Sequence, residues 1–432
     1  MAFFVGGIMK YAIYSLGCKV NTYESEFVRN LLNKEGFKEV PFNEEADIYI
    51  INTCTVTNTA DQKSRKIINQ AIKKKKEKTI IIVMGCYSQI NKKQYENVDI
   101  MIGNKNKSKI IELLNEFGKN SLPIIKINDL KTSEFEDMEI SYYQNRTRAL
   151  IKIEDGCENF CSYCIIPYAR GKVTSKKKDL VINEAKKLIE NGYKEIVLTG
   201  IHTGHYLDGS TTFSDLLNAL SLLNIKRLRI SSIEITEITD DVLKILDKEN
   251  FICDHLHIPL QSGCDKTLKE MNRKYDTKYF YEVIEKIRGI RGDIAVTSDV
   301  IVGFPNETEN DFLTTYEFIK KCAFADIHVF PYSKREGTVS SLMSGEVKAA
   351  EKKIRVKKLL KLKSELQYNY RRKFLDNILE VIPEVYMDGY LIGHTSNYLQ
   401  VKFKGNKCLI GSIVSVRIID YENSELKGEI YN

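Results

Sequence analysis

The sequence predicts an α/β protein of several domains, and three observations support this fold class. The chain has 432 residues, which is long for one ordinary domain. Short apolar segments alternate with helical patterns along two successive stretches, and this alternation is typical of parallel sheets. From residue 378 onward, short strand patterns alternate instead with glycine and asparagine turns. We therefore expect two α/β domains followed by a small antiparallel β-barrel of OB-like size.

The first domain is predicted over residues 9–120 as a doubly wound parallel sheet. Strand patterns lie at 11–16, 47–51, 79–84 and 99–102, and helical patterns at 22–35, 58–76, 91–97 and 107–117. Cys18, Cys54 and Cys86 each come shortly after a different predicted strand. Ligands of open α/β sheets gather beyond the carboxyl ends of the strands, so we expect these cysteines to converge there. The alternative is that each is an inert buried cysteine.

A predicted linker at 121–145 leads to the second α/β domain, at 146–370. Its six strand patterns and intervening helices predict an open, partial version of a parallel α/β barrel, in which chemistry takes place on loops at the carboxyl ends of the strands. These strands are expected at 149–153, 195–199, 227–231, 255–258, 294–302 and 327–330. A lysine-rich helix at 345–375 closes the domain, and residues 371–432 form the predicted β-barrel.

The most informative motif is the loop Cys157-x3-Cys161-x2-Cys164, just after the first strand of the second domain. Three close thiolates can hold an iron–sulfur cluster and leave one iron open to a small molecule. A structural zinc site needs four ligands, and this loop supplies three. The motif therefore favours an iron–sulfur site over a zinc or redox knuckle.

Composition limits the classes of partner and compartment. The formal net charge of +7 permits a nucleic-acid partner without requiring one. No apolar run approaches the roughly 20 residues that span a bilayer, and the opening residues lack the basic region of a signal peptide. Ten cysteines without such a signal indicate a reducing cytosol, so we expect a cytoplasmic protein without a membrane partner. Met9, directly before the first strand, is the expected natural start.

The motifs together resemble one enzyme family. Residues 154–164, Glu-Asp-Gly-Cys-Glu-Asn-Phe-Cys-Ser-Tyr-Cys, resemble the hallmark loop of radical S-adenosylmethionine enzymes. The segments around Cys18, Cys54 and Cys86 resemble the amino-terminal motifs of the radical methylthiotransferases. The predicted domain order is also similar to that family, whose members end in a TRAM domain. The resemblance covers nearly the whole chain.

Finer residues resemble one branch of that family. Gly-Cys-Lys-Val-Asn at 17–21 and Cys-Thr-Val-Thr-Asn-Thr-Ala-Asp-Gln-Lys-Ser-Arg at 54–65 are similar to the branch that acts on N6-threonylcarbamoyladenosine in tRNA. The isopentenyladenosine branch usually has Gly-Cys-Gln-Met-Asn at the first segment. The branch that modifies a ribosomal-protein aspartate usually has Gly-Cys-Pro-Lys-Asn there.

The resemblance implies two [4Fe–4S] clusters, an auxiliary one on Cys18, Cys54 and Cys86 and a radical-generating one on the loop cysteines. It implies that S-adenosylmethionine is both the radical source and the methyl donor, with sulfur coming from or through the auxiliary cluster. The substrate would be adenosine 37, beside the tRNA anticodon, which gains a methylthio group at C2. An electron donor such as flavodoxin or ferredoxin would reduce the radical cluster.

Other residues are candidates for binding the cofactor or RNA. Tyr163 resembles the family's aromatic residue near the adenine of the cofactor. Thr199, Gly200, Ser231, Gln261 and Gly303 stand at predicted strand ends, where they could meet S-adenosylmethionine. In the last domain, cations and aromatic rings suit phosphates and unstacked bases. These are Lys402, Lys404, Lys407, Arg417, Tyr386, Tyr390 and Tyr398.

Readings of other classes remain open on the sequence alone. A non-enzymatic iron–sulfur electron carrier or RNA-bound redox sensor would use the same cysteines without S-adenosylmethionine. Among enzymes, methylthiolation of isopentenyladenosine or of a ribosomal-protein aspartate are the alternatives. For any single glycine a plain tight turn, and for the histidines ordinary packing, explains the residue equally well.

Overall fold

A computed structural model describes residues 8–92, 95–132, 134–144, 146–422 and 425–431. Residues 1–7 lie outside this part, so the expectation about the natural start is not addressed. The described chain forms a parallel α/β sheet, a partial parallel barrel and a small closed β-barrel, in that order. The predicted fold class is therefore confirmed.

The first domain is a six-stranded sheet in the order β2-β1-β3-β4-β5-β6, with all neighbours parallel. Apolar side chains cover both faces of the sheet, as the doubly wound prediction requires. The strands are β1 (Lys10–Ser15), β2 (Lys38–Glu39), β3 (Ile48–Thr53), β4 (Ile80–Gly85), β5 (Ile100–Ile102) and β6 (Ile124–Lys126). The helices are α1 (Lys19–Lys34), α2 (Asn58–Lys74), α3 (Cys86–Ile90) and α4 (Ile110–Asn120).

Two features of this domain differ from the expectation. The helix predicted at 91–97 is wrong where the structure describes it; the helical turn comes earlier, as α3, directly at the end of β4. Strand β6 was not predicted, because it directly follows Pro123 in a segment with mixed charges and little periodicity; it extends the sheet beside β5. It lies in the segment 121–145, whose Met138, Ile140 and Tyr143 pack into the core of the second domain.

The second domain contains two three-stranded parallel sheets, in the orders β13-β10-β7 and β14-β15-β16. Their edges meet through a parallel bridge between Leu228 and Ile252, so the six strands curve into one partial barrel. The barrel strands are β7 (Arg148–Lys152), β10 (Glu195–Thr199), β13 (Arg227–Ile230), β14 (His255–His257), β15 (Ala295–Val302) and β16 (Asp326–Pro331). Two small hairpins are formed by β8 (Glu154–Asp155) with β9 (Thr174–Ser175) and by β11 (Leu207–Asp208) with β12 (Thr211–Thr212).

Helices cover the outside of the partial barrel. Several begin at a threonine or aspartate whose side chain accepts a backbone N–H of the first turn, as at Thr212, Thr239, Asp276 and Thr308. The helices are α5 (Ile166–Arg170), α6 (Lys178–Glu190), α7 (Phe213–Ser221), α8 (Asp240–Lys248), α9 (Asp265–Glu270), α10 (Thr277–Ile290), α11 (Glu309–Cys322) and α12 (Ala349–Arg371). The long α12 buries Leu359, Leu362 and Leu366 and leads into the last domain.

The last domain is a closed five-stranded barrel in the order β17-β18-β19-β21-β20. Its strands are β17 (Ile378–Met387), β18 (Tyr390–Thr395), β19 (Gln400–Lys404), β20 (Val414–Glu422) and β21 (Glu425–Ile430). Four of the five pairings are antiparallel, but β19 and β21 run parallel. The expectation of a wholly antiparallel barrel is corrected at this pair, because β21 returns beside β19 to close the barrel.

No helix in the described part of the chain is both long and apolar enough to cross a membrane.

Candidate functional site

A cavity of about 760 Å³ lies where the three domains meet. The first domain contributes Cys18, Cys54 and Cys86, which we call the amino-terminal trio. Residues along the barrel strands, from amino-end positions such as Ala295 and Asp326 to the carboxyl-end Thr199, form another wall, and the turn at 397–399 of the last domain closes a side. The expected convergence of these three cysteines is therefore observed.

Strand register explains how the amino-terminal trio comes together. β1, β3 and β4 are adjacent and parallel, and Thr53 of β3 is paired with Gly85 of β4. Cys54 and Cys86 each follow that pair directly, so they stand side by side at the edge of the sheet. Cys18 is the N-cap residue of α1. It lies two residues after Leu16, whose N–H donates the last backbone hydrogen bond from this segment to β3. Cys54 and Cys86 are buried, whereas Cys18 is exposed to the cavity.

Asn21 ties together the loops that carry two of these cysteines. Its side-chain amide donates to the carbonyls of Leu16 and Thr53, at 2.7 and 3.0 Å. The amide of Asn52 donates in turn to the Asn21 carbonyl, at 2.9 Å. These contacts explain, in structural terms, the asparagine that ends the Gly-Cys-Lys-Val-Asn segment.

Burial raises the pKa of two thiols in this trio. The pKa of Cys18 is raised, and that of Cys54 is raised to about 11, although nearby Arg170 acts in the opposite direction on both. These two thiols therefore carry protons when no metal is bound, and metal binding must release those protons. Arg170 lies close enough to favour the thiolate forms.

Cys157, Cys161 and Cys164, which we call the loop trio, lie between β8 and α5. Backbone hydrogen bonds fix the loop to distant parts of the barrel: the Ser162 N–H donates to the Met271 carbonyl at 3.0 Å, and the Ser340 N–H donates to the Ser162 carbonyl at 2.7 Å. The Cys157 N–H donates to the Gly171 carbonyl at 3.0 Å. The loop is thus anchored at its start and in its middle.

One guanidinium contacts the loop trio directly. Arg273 Nη1 lies 3.3 Å from Cys161 Sγ, and the same side chain forms an ion pair with Glu234 and stacks on the Tyr275 ring. Burial raises the pKa of both Cys157 and Cys164 to about 12. Arg273 thus places a positive charge beside one of the three sulfur donors of this loop.

The sulfur geometry fits a polynuclear cluster better than a single ion. Among described residues, the groups whose ligand atoms all lie within 4.8 Å are His202, His205 and Glu237, and His257, Asp299 and His328. Neither cysteine trio meets this limit, although each gathers three soft sulfur donors in one place. A cluster takes each thiolate on a different iron, so its ligands stand farther apart than those of one ion. Both trios therefore fit iron–sulfur clusters.

A buried ionic network connects the two trios. Glu24 forms ion pairs with Lys152 and Arg170, each at 2.9 Å, and with Lys107 at 3.3 Å. Asp155 forms ion pairs with the same Lys152 and Arg170, at 2.6 and 2.9 Å. All five side chains are almost completely buried. Burial alone would raise the pKa of Glu24, but its three cationic neighbours outweigh burial and hold that pKa far below its usual range. The network joins α1 of the first domain to the strand that precedes the loop trio.

Three of the predicted cofactor contacts line the cavity. Thr199, Gly200 and Ser231 all do so, and the Ser231 hydroxyl lies 3.5 Å from that of Thr199. Glu154 lies directly behind Gly200, and its Oε2 accepts the His202 N–H at 2.6 Å. Its Oε1 is buried without a hydrogen-bond partner in the described part of the chain, and burial raises its pKa.

The other three candidates lie outside the cavity. Tyr163 packs against the cluster of Met271, Phe304 and Tyr332. Gln261 has a φ of +67° and is held by a parallel bridge to Val300. Gly303 donates its N–H to Glu307 Oε2 at 2.5 Å, and the Lys352 side chain covers the position of a Cβ. None of these three residues lines the cavity, and their contacts with S-adenosylmethionine stay predictions.

Two cavity residues differ from what the sequence predicted, because Lys19 was not singled out for binding and Tyr398 was expected only as an RNA contact of the last domain. Lys19 lines the cavity directly after Cys18, and burial together with Arg229 and Arg148 lowers its pKa to about 8. Tyr398 reaches in from the last domain with a φ of +63° and stacks on His255, at 4.9 Å between ring centroids. Their roles depend on how the domains dock, for which the sequence carries no periodic signal.

Comparison with known proteins places this geometry in a family. Residues 151–319 match the radical SAM superfamily, and residues 10–103 match a family described as uncharacterized protein family UPF0004. The threonylcarbamoyladenosine tRNA methylthiotransferase MtaB of Bacillus subtilis is 42% identical over 421 residues, covering 94% of this chain and 93% of the relative. The chain belongs to the radical S-adenosylmethionine methylthiotransferase family. It is therefore an enzyme that uses a [4Fe–4S] cluster and S-adenosylmethionine, as the sequence predicted.

Two further proteins are similar to the chain, one in sequence and one in fold. The tRNA-2-methylthio-N(6)-dimethylallyladenosine synthase of Clostridium botulinum is 34% identical, covering 98% of each chain. The solved structure of the radical S-adenosylmethionine methyltransferase TsrM from Kitasatospora setae is 10% identical, with a TM-score of 0.54 over 75% of this chain and 72% of that chain. The second likeness is one of fold alone.

Proposed function

We propose that this protein converts N6-threonylcarbamoyladenosine at position 37 of tRNA into its 2-methylthio derivative. The cavity is the observation that carries this proposal, because Cys18, Cys54 and Cys86 share it with residues of the barrel strands and of the last domain. Its volume of about 760 Å³ lies within the range of roughly 300–1,000 Å³ common for ligand pockets. An unstacked nucleoside can therefore enter and be held between the domains.

The choice of nucleoside rests on the relatives and on one segment. The Bacillus subtilis protein, named for threonylcarbamoyladenosine, is 42% identical, whereas the Clostridium botulinum protein, named for dimethylallyladenosine, is 34% identical. Both alignments cover nearly the whole of each chain. Lys19 and Val20, within the Gly-Cys-Lys-Val-Asn segment, also support the threonylcarbamoyl branch.

The proposed cofactors are two [4Fe–4S] clusters and S-adenosylmethionine. The amino-terminal trio would hold the auxiliary cluster, and the loop trio the radical-generating cluster, whose open iron receives S-adenosylmethionine. When bound, these groups supply the carbon radical, the sulfur and the methyl group that an unreactive aromatic C2–H requires.

The protein's own residues would position the substrate and exclude water. Thr199, Gly200 and Ser231 offer polar contacts at the strand ends, where the methionine or ribose of the cofactor would lie. The orphan oxygen of Glu154, directly behind Gly200, offers a further partner for a donor group. Apolar side chains such as Val56 line the remaining wall.

We infer that tRNA binds across the cavity and the last domain. On the small barrel, the Lys402 ammonium lies 5.1 Å from the Tyr390 ring centroid, and the Arg417 guanidinium lies 5.1 Å from that of Tyr431. Such cation–aromatic pairs suit phosphates and stacked bases. The reaction would take place in the cytosol, where thiols stay reduced, with flavodoxin or ferredoxin as the electron donor.

Two cysteine substitutions test this assignment in the anaerobic, reconstituted enzyme. We expect Cys161→Ala to abolish 5′-deoxyadenosine formation while the auxiliary cluster remains. We expect Cys54→Ala to keep that cleavage but to lose methylthiolation of an RNA hairpin that carries threonylcarbamoyladenosine. Cys408→Ala, at an exposed cysteine of the last domain, is the matched control and should retain both activities.

Each variant can also contradict the proposal. Unchanged 5′-deoxyadenosine formation in Cys161→Ala would remove the loop trio from the radical step. Methylthiolated product from Cys54→Ala would remove the amino-terminal trio from sulfur insertion. A wild-type enzyme that modifies an isopentenyladenosine hairpin and leaves the threonylcarbamoyl one untouched would reassign the substrate.

A further inference from the structure

The cavity wall carries an excess of positive charge. Six lysine and arginine residues line it, against two aspartates. Four of the cations already have partners within the protein: Arg148 with Glu384, Arg170 with Glu24, Arg229 with Glu195, and Arg371 with Tyr421. Lys19 and Arg146 have neither a hydrogen bond nor an ion pair within the described part of the chain. The cavity therefore offers an anionic ligand two cations that need not give up a partner.

Lys19 is the one of these two that adjoins the proposed reaction centre. It directly follows Cys18 and is the first residue of the 16-residue helix α1, whose first turn has no acidic side chain. Free N–H groups at a helix amino terminus add to the preference for a negative ligand. Arg146 is exposed, as Lys19 is, but it stands just before β7 of the barrel and adjoins none of the six candidate ligand cysteines in the sequence.

The two candidate nucleosides differ in charge at N6. A threonylcarbamoyl group ends in a carboxylate and carries a hydroxyl, whereas a dimethylallyl group is a hydrocarbon. In adenine, C2 and C6 are both bonded to N1, so the reacting carbon and the N6 substituent lie toward the same edge of the base. With C2 facing the amino-terminal trio, the N6 substituent would be directed toward the same part of the cavity wall, which Lys19 also lines.

We propose that Lys19 binds the carboxylate of the threonylcarbamoyl group and thereby selects this nucleoside over uncharged N6 substituents. This inference rests on the proposed function and names the residue that sets its specificity. A charged hydrogen bond forms with the carboxylate. A hydrocarbon in the same place would leave an ammonium group desolvated and without a partner, which disfavours the wrong substrate.

Two other anions compete for this role. An RNA phosphate at Lys19 would make the residue contribute to every RNA alike. The carboxylate of S-adenosylmethionine at Lys19 would make it contribute to cofactor binding, whatever the RNA. The experiment must therefore compare RNAs that differ only in the charge at N6.

The test uses the reconstituted holoenzyme and three RNA hairpins of one sequence. They carry threonylcarbamoyladenosine, its neutral threoninamide analogue, or isopentenyladenosine at the same position. We expect the wild type to bind the carboxylate hairpin about 10- to 100-fold more tightly than the amide, in line with a charge-assisted hydrogen bond. Lys19→Gln should bind both hairpins with equal affinity, and Lys19→Arg should restore the preference. Fluorescence anisotropy measures the Kd, and turnover gives KM and kcat.

Controls distinguish a specific role of Lys19 from a general effect of positive charge and from a failure of the variant to fold. Arg146→Gln removes the other unpaired cation and should keep the preference for the carboxylate. Iron content and the electron paramagnetic resonance signals of both clusters show whether Lys19→Gln has assembled normally. If Lys19→Gln does not assemble its clusters, the wild type alone still tests the inference. Equal affinity of the wild type for the carboxylate and amide hairpins would overturn it.

Three other outcomes would also overturn it. These are a retained preference in Lys19→Gln, equal losses for all three hairpins, and a change only in the affinity for S-adenosylmethionine. In each of these cases, methylthiolation of the carboxylate hairpin by the wild type would leave the proposed function standing. A wild type that methylthiolates only the isopentenyladenosine hairpin would instead contradict the proposed function itself.

Discussion

Gly17 controls the space beside the amino-terminal trio. Its φ of +103° lies in the left-handed region, and a Cβ there would stand 2.9 Å from Cys54 Cβ and 3.0 Å from Cys54 Sγ. Backbone and cysteine therefore approach as closely as a residue without a side chain allows. The glycine that precedes Cys18 is a requirement of the site as well as of the turn.

We expect Gly17→Ala to displace Cys54 and to prevent assembly of the auxiliary cluster. Iron content should fall from about eight to about four atoms per chain, while 5′-deoxyadenosine formation persists. Gly36→Ala is the matched control, because Gly36 also has a positive φ, +84°, but nothing lies within 4 Å of its added Cβ. Full iron content in Gly17→Ala would contradict the proposed ligand set.

Arg273 tunes the loop trio through its contact with Cys161. Its guanidinium lies 3.3 Å from the sulfur and would stabilise the more negative, reduced form of a cluster bound there. We expect Arg273→Met to lower the midpoint potential on the order of 50 mV, since about 59 mV corresponds to a tenfold change for one electron. Potentiometric titration followed by electron paramagnetic resonance measures this shift, and an unchanged potential with a normal signal would exclude the role.

At the scale of elements, α1 is held to the barrel by the buried ionic network around Glu24. Removing one member of a buried charged group leaves its partners without compensation, which costs roughly 3–5 kcal/mol. Glu24→Gln should therefore lower the free energy of unfolding by about that amount, because Lys152 and Arg170 lose part of their countercharge. Calorimetry of the anaerobic protein measures the loss.

The matched control for Glu24 is an exposed pair. Lys244 forms an ion pair with Asp241 at 2.9 Å, with both side chains well exposed to water. Lys244→Gln should leave the unfolding temperature almost unchanged, because water screens such pairs. A Glu24→Gln variant as stable as Lys244→Gln would show that the network does not hold the domains together.

Most barrel and sheet strands were predictable because parallel strands buried on both faces are continuous apolar runs. The segment predicted at 195–199 is β10, and the other barrel strands differ from their predicted bounds by a residue or two. Strand β18 has a weaker sequence pattern, because Gly393 interrupts its apolar residues and polar residues follow at once. The short β6 was missed because it depends on its neighbour in the sheet, not on its own sequence.

Only the part of the candidate site that lies at the ends of adjacent strands could be predicted from the sequence. Cysteines that follow adjacent parallel strands must meet, and the amino-terminal trio does. Lys19 and Tyr398 face one cavity because separate domains dock there, which local patterns do not encode. Gln261 and Gly303 were also expected at strand ends, but neither residue lines the cavity, so a strand-end position alone does not bring a residue there.

At the scale of the whole molecule, the cavity exists only because three domains meet. The last domain is attached to the barrel through buried arginines: Arg229 donates to the carbonyls of Thr395 and Ser396, and Arg227 donates to that of Glu380. These contacts place the turn that carries Tyr398 at the cavity. The domain that we propose to bind RNA is thus fixed beside the proposed site.

Nucleoside mass spectrometry of bulk tRNA, from cells with and without the gene, tests the central proposal most directly. We expect cells without the gene to lose 2-methylthio-N6-threonylcarbamoyladenosine and to accumulate its unthiolated precursor, with recovery on expression of the wild type. Expression of Cys161→Ala or Cys54→Ala should not restore the nucleoside. An unchanged level of 2-methylthio-N6-threonylcarbamoyladenosine in cells without the gene would contradict the account.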